Sequence, residues 1–190
     1  MRGKVSHLSN ILYPEIPRII CITEQHLKDF EMDMMLIEYY KCGTKFCRQQ
    51  FKNVGVCIFV YESIDFDIIS THCVCKEKDL EICVVKINLP KIKIAILTIY
   101  RSPTGNYNYF LRKSNSFLNL LYTKKMEFII CGDINVSYLY CHNRRQQLDI
   151  PLPLYNLKST INFPTRILVQ VLRLITFLLI YHEILLYIPL

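Results

Sequence analysis

The densest chemical signal in the chain is Gly132-Asp133-Ile134-Asn135, which directly follows the apolar run Phe128-Ile129-Ile130-Cys131. A buried strand that ends this way projects a carboxylate and a carboxamide from a rigid base into a loop-lined cleft. There Asp133 can orient a water, and Asn135 can donate to a developing oxyanion. The same residue types also suit an ordinary Asx-type turn, so the weight falls on what else the chain supplies. Ile19-Ile20-Cys21-Ile22-Thr23-Glu24 is a second apolar run ending in a carboxylate. Magnesium takes such oxygen ligands while keeping several of its waters, although a Thr-Glu pair also suits a helix start. Leu97-Thr98-Ile99-Tyr100-Arg101-Ser102-Pro103 ends a third run with a phenol and a guanidinium, both able to contact phosphate. Asn162-Phe163-Pro164-Thr165-Arg166 adds a hydroxyl and a further guanidinium after an extended stretch.

The elements that must position these groups follow from the spacing of apolar residues. Short β-rich runs are expected at 18–23, 54–61, 67–75, 81–88 and 92–100. The connectors Lys76-Glu77-Lys78-Asp79 and Leu89-Pro90-Lys91 are short and polar, so the last three runs read as an antiparallel meander. Alternation within 81–88 is only partial, as expected where both faces of a sheet are covered. Phe110, Phe117, Leu118 and Leu121 recur at helical spacing within 107–122. A short buried strand is expected at 127–131, and a helix over 143–154 that Pro151 and Pro153 cut short. Helices at the ends with a meander between them suggest two sheets flanked by helices rather than a doubly wound parallel sheet.

At 190 residues the chain can bury one sizeable core. Hydrophobic residues at 52% against 21% charged place it among globular rather than disordered chains. A formal charge of +7 suits a polyanion such as nucleic acid, though it also serves solubility. Cys21, Cys57, Cys83 and Cys131 lie inside apolar runs, where a thiol packs as a small hydrophobe. Neither Cys42 and Cys47 nor Cys73 and Cys75 has the companions of a structural zinc site. Residues 1–10 are polar and carry no secretory signal, so the expectation is an intracellular protein, nuclear or cytoplasmic, with free thiols.

Taken in order, Thr23-Glu24, Tyr100-Arg101-Ser102-Pro103, Gly132-Asp133-Ile134-Asn135-Val136 and Phe163-Pro164-Thr165-Arg166 resemble the endonuclease/exonuclease/phosphatase superfamily. The wording is closest to the endonuclease domain of LINE-type (non-LTR) retrotransposons, over residues 4–167. The resemblance implies a four-layer α/β sandwich of two mainly antiparallel sheets that hydrolyses DNA phosphodiesters with magnesium and needs no small-molecule cofactor. It implies Glu24 as metal ligand, Tyr100 at the scissile phosphate, Asp133 on the nucleophilic water and Asn135 on the phosphate oxyanion. Arg101, Thr165 and Arg166 would line the DNA cleft.

The family pattern also has an Asn-bearing first strand, an Ile-Asp strand and a closing Ser-Asp-His. Here no Asp follows Asp149, and the one late His is His182, in Tyr181-His182-Glu183. The expectation is therefore a domain over 1–166 truncated at both ends and inactive. From residue 167 to 190 the chain turns to Leu, Ile, Val and Tyr, long enough to span a bilayer. Arg173, His182 and Glu183 would each be costly at a membrane centre, which favours a frameshifted tail over an anchor. Other readings are an active nuclease using His182 or Glu183 as substitute ligands, a non-catalytic nucleic-acid-binding module, or a tail-anchored membrane protein.

Overall fold

The uncharged run Gly55–Tyr61 (β3) forms the centre of a three-stranded antiparallel sheet. Its partners are Ile19–Thr23 (β1) and Tyr40–Cys47 (β2), one on each side. Val56 to Val60 are all buried, as a strand covered on both faces requires. In the computed structural model, residues 17–51, 54–90, 92–137 and 143–159 are described, together with the backbone of 179–181.

The second sheet has six strands. Phe66–Ile68 (β4), Glu81–Asn88 (β5) and Lys93–Tyr100 (β6) form the expected antiparallel meander. Tyr107–Tyr122 (α2) then carries the chain across to Glu127–Asp133 (β7), which pairs parallel to β6. A crossover helix is what a parallel neighbour needs, since a tight hairpin reverses direction. Beyond β7 lie the strands Leu179–Tyr181 (β9) and Leu157–Ser159 (β8), in that spatial order. The backbone of β9 pairs antiparallel with both neighbours and falls within residues 167–190.

Four layers result. Ile20, Ile22, Cys57 and Phe59 on the outer face of the small sheet pack with Leu27, Met32 and Ile37, from the short helix Asp29–Asp33 (α1) and its flanks. Val56, Ile58 and Val60 on its inner face meet Val85, Ile87, Ile94 and Ile96 of the large sheet. On the far side Ala95, Leu97, Phe128 and Ile130 pack against Phe110, Phe117 and Leu121 of α2. Asn106 starts that helix by accepting the Tyr109 N–H at 2.9 Å. The architecture is the two-sheet α/β sandwich flanked by helices.

Three local expectations change. Of the run 67–75 only the beginning is a strand; Thr71 then turns the chain, accepting the Val74 and Cys75 N–H groups, while its hydroxyl donates to the Ile82 carbonyl. A hydroxyl that bonds backbone locally offers an alternative to the ladder. The strand at 127 runs two residues further than expected, so that Asp133 is part of it. β2 was not foreseen, because Lys41, Gly43 and Lys45 interrupt its apolar pattern at an edge position. The helix near 143 does stop before its prolines, as Asn143–Asp149 (α3), and Leu152–Tyr155 follows as a 3-10 turn. Among the described residues no helix is long and apolar enough to cross a membrane.

Candidate active site

Three strand ends meet at one edge of the sandwich. β1 finishes at Thr23, and Glu24 turns the chain with a left-handed φ of 53°. Such a conformation in a non-glycine residue has to be held by its surroundings. Gln25, fully buried, does this: its backbone N–H donates to the Gly55 carbonyl at 3.4 Å, its Nε2 lies 3.2 Å from Cys47 Sγ, and its Oε1 accepts from Leu27 N–H. The turn is thereby fastened to the start of β3 and the end of β2.

β6 and β7 end side by side, with Tyr100 opposite Asp133 in the parallel register. Asp133 Oδ1 accepts the Asn135 N–H at 2.9 Å, and Asn135 Nδ2 donates to the Arg101 carbonyl at 2.7 Å. Asn135 is itself left-handed, with φ 51°. The Tyr100 hydroxyl bridges the two sheets here, donating to Glu24 Oε1 at 2.8 Å.

Arg101 is fully buried, and its guanidinium is committed to backbone carbonyls. Nε donates to Ile134 at 2.9 Å, Nη2 to Asn135 at 2.9 Å, and Nη1 to Ser102 and Gly105 at 3.0 and 2.9 Å. Burial lowers its pKa, with Arg144 adding to the effect. Arg101 braces the Asp133–Asn135 turn through the carbonyls of Ile134 and Asn135.

No protein-family model matches the chain, and no curated protein matches it. Solved structures do. The endonuclease domain of TRAS1, a telomere-specific non-LTR retrotransposon, superposes with TM-score 0.64 at 19% identity, over 87% of this chain and 71% of that one. A Bacteroides thetaiotaomicron endonuclease/exonuclease/phosphatase family protein gives 0.57 at 10% identity, over 95% and 75%. The fold is that of the endonuclease/exonuclease/phosphatase superfamily. D. rerio TDP2 complexed with single-strand DNA product gives 0.53 at 12% identity, over 78% of this chain and 58% of that one.

Within this superfamily fold, Glu24, Tyr100, Asp133 and Asn135 lie at the strand ends of one edge. Burial pushes the Tyr100 phenol up, and the Glu24 hydrogen bond and charge push it further, with Arg48 acting the other way. The phenol therefore stays protonated across the neutral range and keeps its donor. Glu24 and Asp133 carry carboxylates and Asn135 a carboxamide, oxygen donors of the kind a hard cation accepts. Among the described residues no group of three or more His, Cys, Asp or Glu converges. Thr165, Arg166, His182 and Glu183 lie outside the described residues.

Sequence reasoning passed over three buried polar residues. Gln25 follows Glu24 directly, and a polar residue just past a buried strand was its one signal. Arg48 and Glu81 form an ion pair, Nε to Oε1, at 2.5 Å. A lone Arg after an unforeseen strand and a lone Glu at the head of an apolar run carry no local pattern that joins them.

Proposed function

We propose that the chain is a phosphodiesterase-type domain of the retrotransposon-endonuclease kind, which engages the DNA backbone at Glu24, Tyr100, Asp133 and Asn135 but nicks it no faster than background. The observation that carries this reading is the Tyr100–Glu24 hydrogen bond, which brings a phenol donor and a carboxylate from opposite sheets to the edge where Asp133 ends its strand. The likeness to the TRAS1 endonuclease domain and to TDP2, which was solved with a DNA product, supports DNA as the partner, as does the charge of +7.

The oxygen donors fit magnesium, and Glu24 would hold it. When bound, the cation supplies charge neutralisation at the phosphate oxygens. The chain's own groups do the rest. Tyr100, whose single O–H is given to Glu24 here, would turn that donor to a phosphate oxygen once a cation takes up the carboxylate. Asp133 accepts from the attacking water, and Asn135 offers amide hydrogen bonding. The His–Asp arm that the resemblance implies has no counterpart after Asp149 in these residues. Groups that act as a unit are non-additive, so removal of one forfeits most of the rate.

The test is plasmid nicking with magnesium by the purified 190-residue chain against Asp133→Ala, beside DNA binding by anisotropy across salt concentrations. Equal, background nicking with salt-dependent binding is expected. Nicking that Asp133→Ala abolishes would overturn the inactive assignment, and absence of binding at low salt would overturn DNA as partner. Binding that is unaffected by EDTA and by Asp133→Ala alike would mark a nucleic-acid-binding module in which the metal site is idle.

A further inference from the structure

The sandwich buries one more cation beside the site. Arg48 follows β2 with its side chain 5% exposed, and it pairs with Glu81, which is fully buried. Glu81 is the cross-strand partner of Tyr100 in the β5–β6 ladder. Its Oε1 also accepts the Lys78 N–H at 2.8 Å. The Arg48 guanidinium carbon lies 5.7 Å from the centre of the Tyr100 ring. Among the described residues Arg48 Nη2 and Glu81 Oε2 have no hydrogen-bond partner.

Stability alone is a poor account of this pair. A buried ion pair can commonly be replaced by neutral residues of similar volume at little cost, and one with two unmet polar atoms is a weaker case still. Its location gives the better account. Tyr100 is tied at its hydroxyl to Glu24, and the guanidinium sits within cation–π range of its ring. Hydroxyl and ring are thus restrained by groups from two other strand ends.

We propose that Arg48, seated on Glu81, is a positioning residue that fixes the Tyr100 ring so that its hydroxyl stays within reach of Glu24 and of a bound phosphate. This rests on the reading of Tyr100 as the phosphate-facing phenol. Loss of a cation–π contact of ordinary strength shifts a rotamer ratio roughly 2- to 30-fold, enough to populate a second ring position. Arg is suited to the role because its planar guanidinium stacks while it also pairs with a carboxylate, which an ammonium does less well.

The experiment places carbon-13 at the ζ carbon of all tyrosines, a position on the ring-flip axis, and assigns the Tyr100 resonance by its loss in Tyr100→Phe. The wild-type chain is expected to give one sharp line. In R48M/E81Q, which removes both charges together, that line is expected to move and to split or broaden, with the remaining tyrosine lines unchanged. A single Tyr100 line of wild-type width in the folded double variant, shifted or not, overturns the proposal, because loss of the nearby charges moves the resonance even when the ring stays in place. If the double variant does not fold, R48K takes its place under the same two outcomes. DNA binding by the wild-type chain is read separately. Its absence beside a split or broadened line sinks the functional reading, and a single sharp line beside intact binding sinks the role of Arg48.

Discussion

Tyr100 and Glu24 are 76 residues apart and belong to different sheets, yet the phenol donates to the carboxylate at 2.8 Å. The bond closes the sandwich at the edge where the candidate site lies. It also restrains a carboxylate whose own backbone is left-handed. A hydrogen bond to a charged acceptor contributes about 1.5–3 kcal/mol, and partial exposure of Glu24 puts this one at the lower end. Tyr100→Phe is therefore expected to lower the free energy of urea unfolding by about 1–2 kcal/mol with the slope unchanged. Unchanged stability would mean that the phenol and carboxylate are not joined in solution.

Arg101 yields the opposite expectation from a surface arginine. Its guanidinium satisfies four carbonyls that come from both segments flanking the site. Lysine has one nitrogen and no fork, so several buried acceptors lose their donor. Arg101→Lys should cost about 3 kcal/mol or more in urea unfolding. The salt slope of DNA binding by the folded fraction should stay as in the wild type, since no phosphate contact is removed. A stable variant whose slope falls by about one would return Arg101 to the DNA interface.

How far the site was legible follows from the range of the interactions involved. The strand ends bearing Glu24, Tyr100 and Asp133 were marked by apolar runs stopping at a polar residue, a signal confined to a few neighbours. The meander and α2 were legible for the same reason: periodicity is local, and 107–122 matches the observed helix end to end. What the sequence could not reveal was long-range. Arg48 and Glu81 are 33 residues apart, and nothing near either announces the other. For Arg101 the local signal is ambiguous: Tyr-Arg at a strand end suggests a phosphate contact, and only the fold brings the carbonyls of 134 and 135 to its guanidinium. β2 was hidden because an edge strand tolerates the lysines and glycine that break its pattern.

Gly132 is the position where the backbone leaves no choice. Its φ is +131°, and a Cβ there would lie 1.9 Å from the Ile99 carbonyl oxygen, across the β6–β7 ladder. A backbone atom cannot swing aside as the tip of a side chain can. Gly132→Ala should therefore cost more than about 3 kcal/mol and deliver little folded protein, measured as the soluble fraction and its melting temperature. A variant that melts within a few degrees of the wild type would show that β6 and β7 can part at the site without penalty.

The loop after Arg48 offers a test by pH. Glu77 Oε1 accepts the N–H groups of Gln49 and Gln50 at 2.6 and 3.1 Å, and Oε2 accepts those of Gln50 and Phe51 at 3.2 and 3.1 Å. Partial burial pushes this carboxyl up, but the three amides outweigh it and hold the pKa below the usual carboxylate value. A pKa lowered by folding means that the carboxylate adds stability above the ordinary range, roughly pH 4–5, and that this is lost as pH falls through the lowered value. Exchange protection of the 49–51 amides, corrected for intrinsic rates, should accordingly be level near neutrality and collapse in acid. In Glu77→Gln it should be weaker throughout and nearly independent of pH, because a carboxamide offers one neutral oxygen where the carboxylate offers two charged ones. Wild-type protection that is equally flat with pH would mean that the carboxylate does not hold this loop, and that Arg48 is anchored from Glu81 alone.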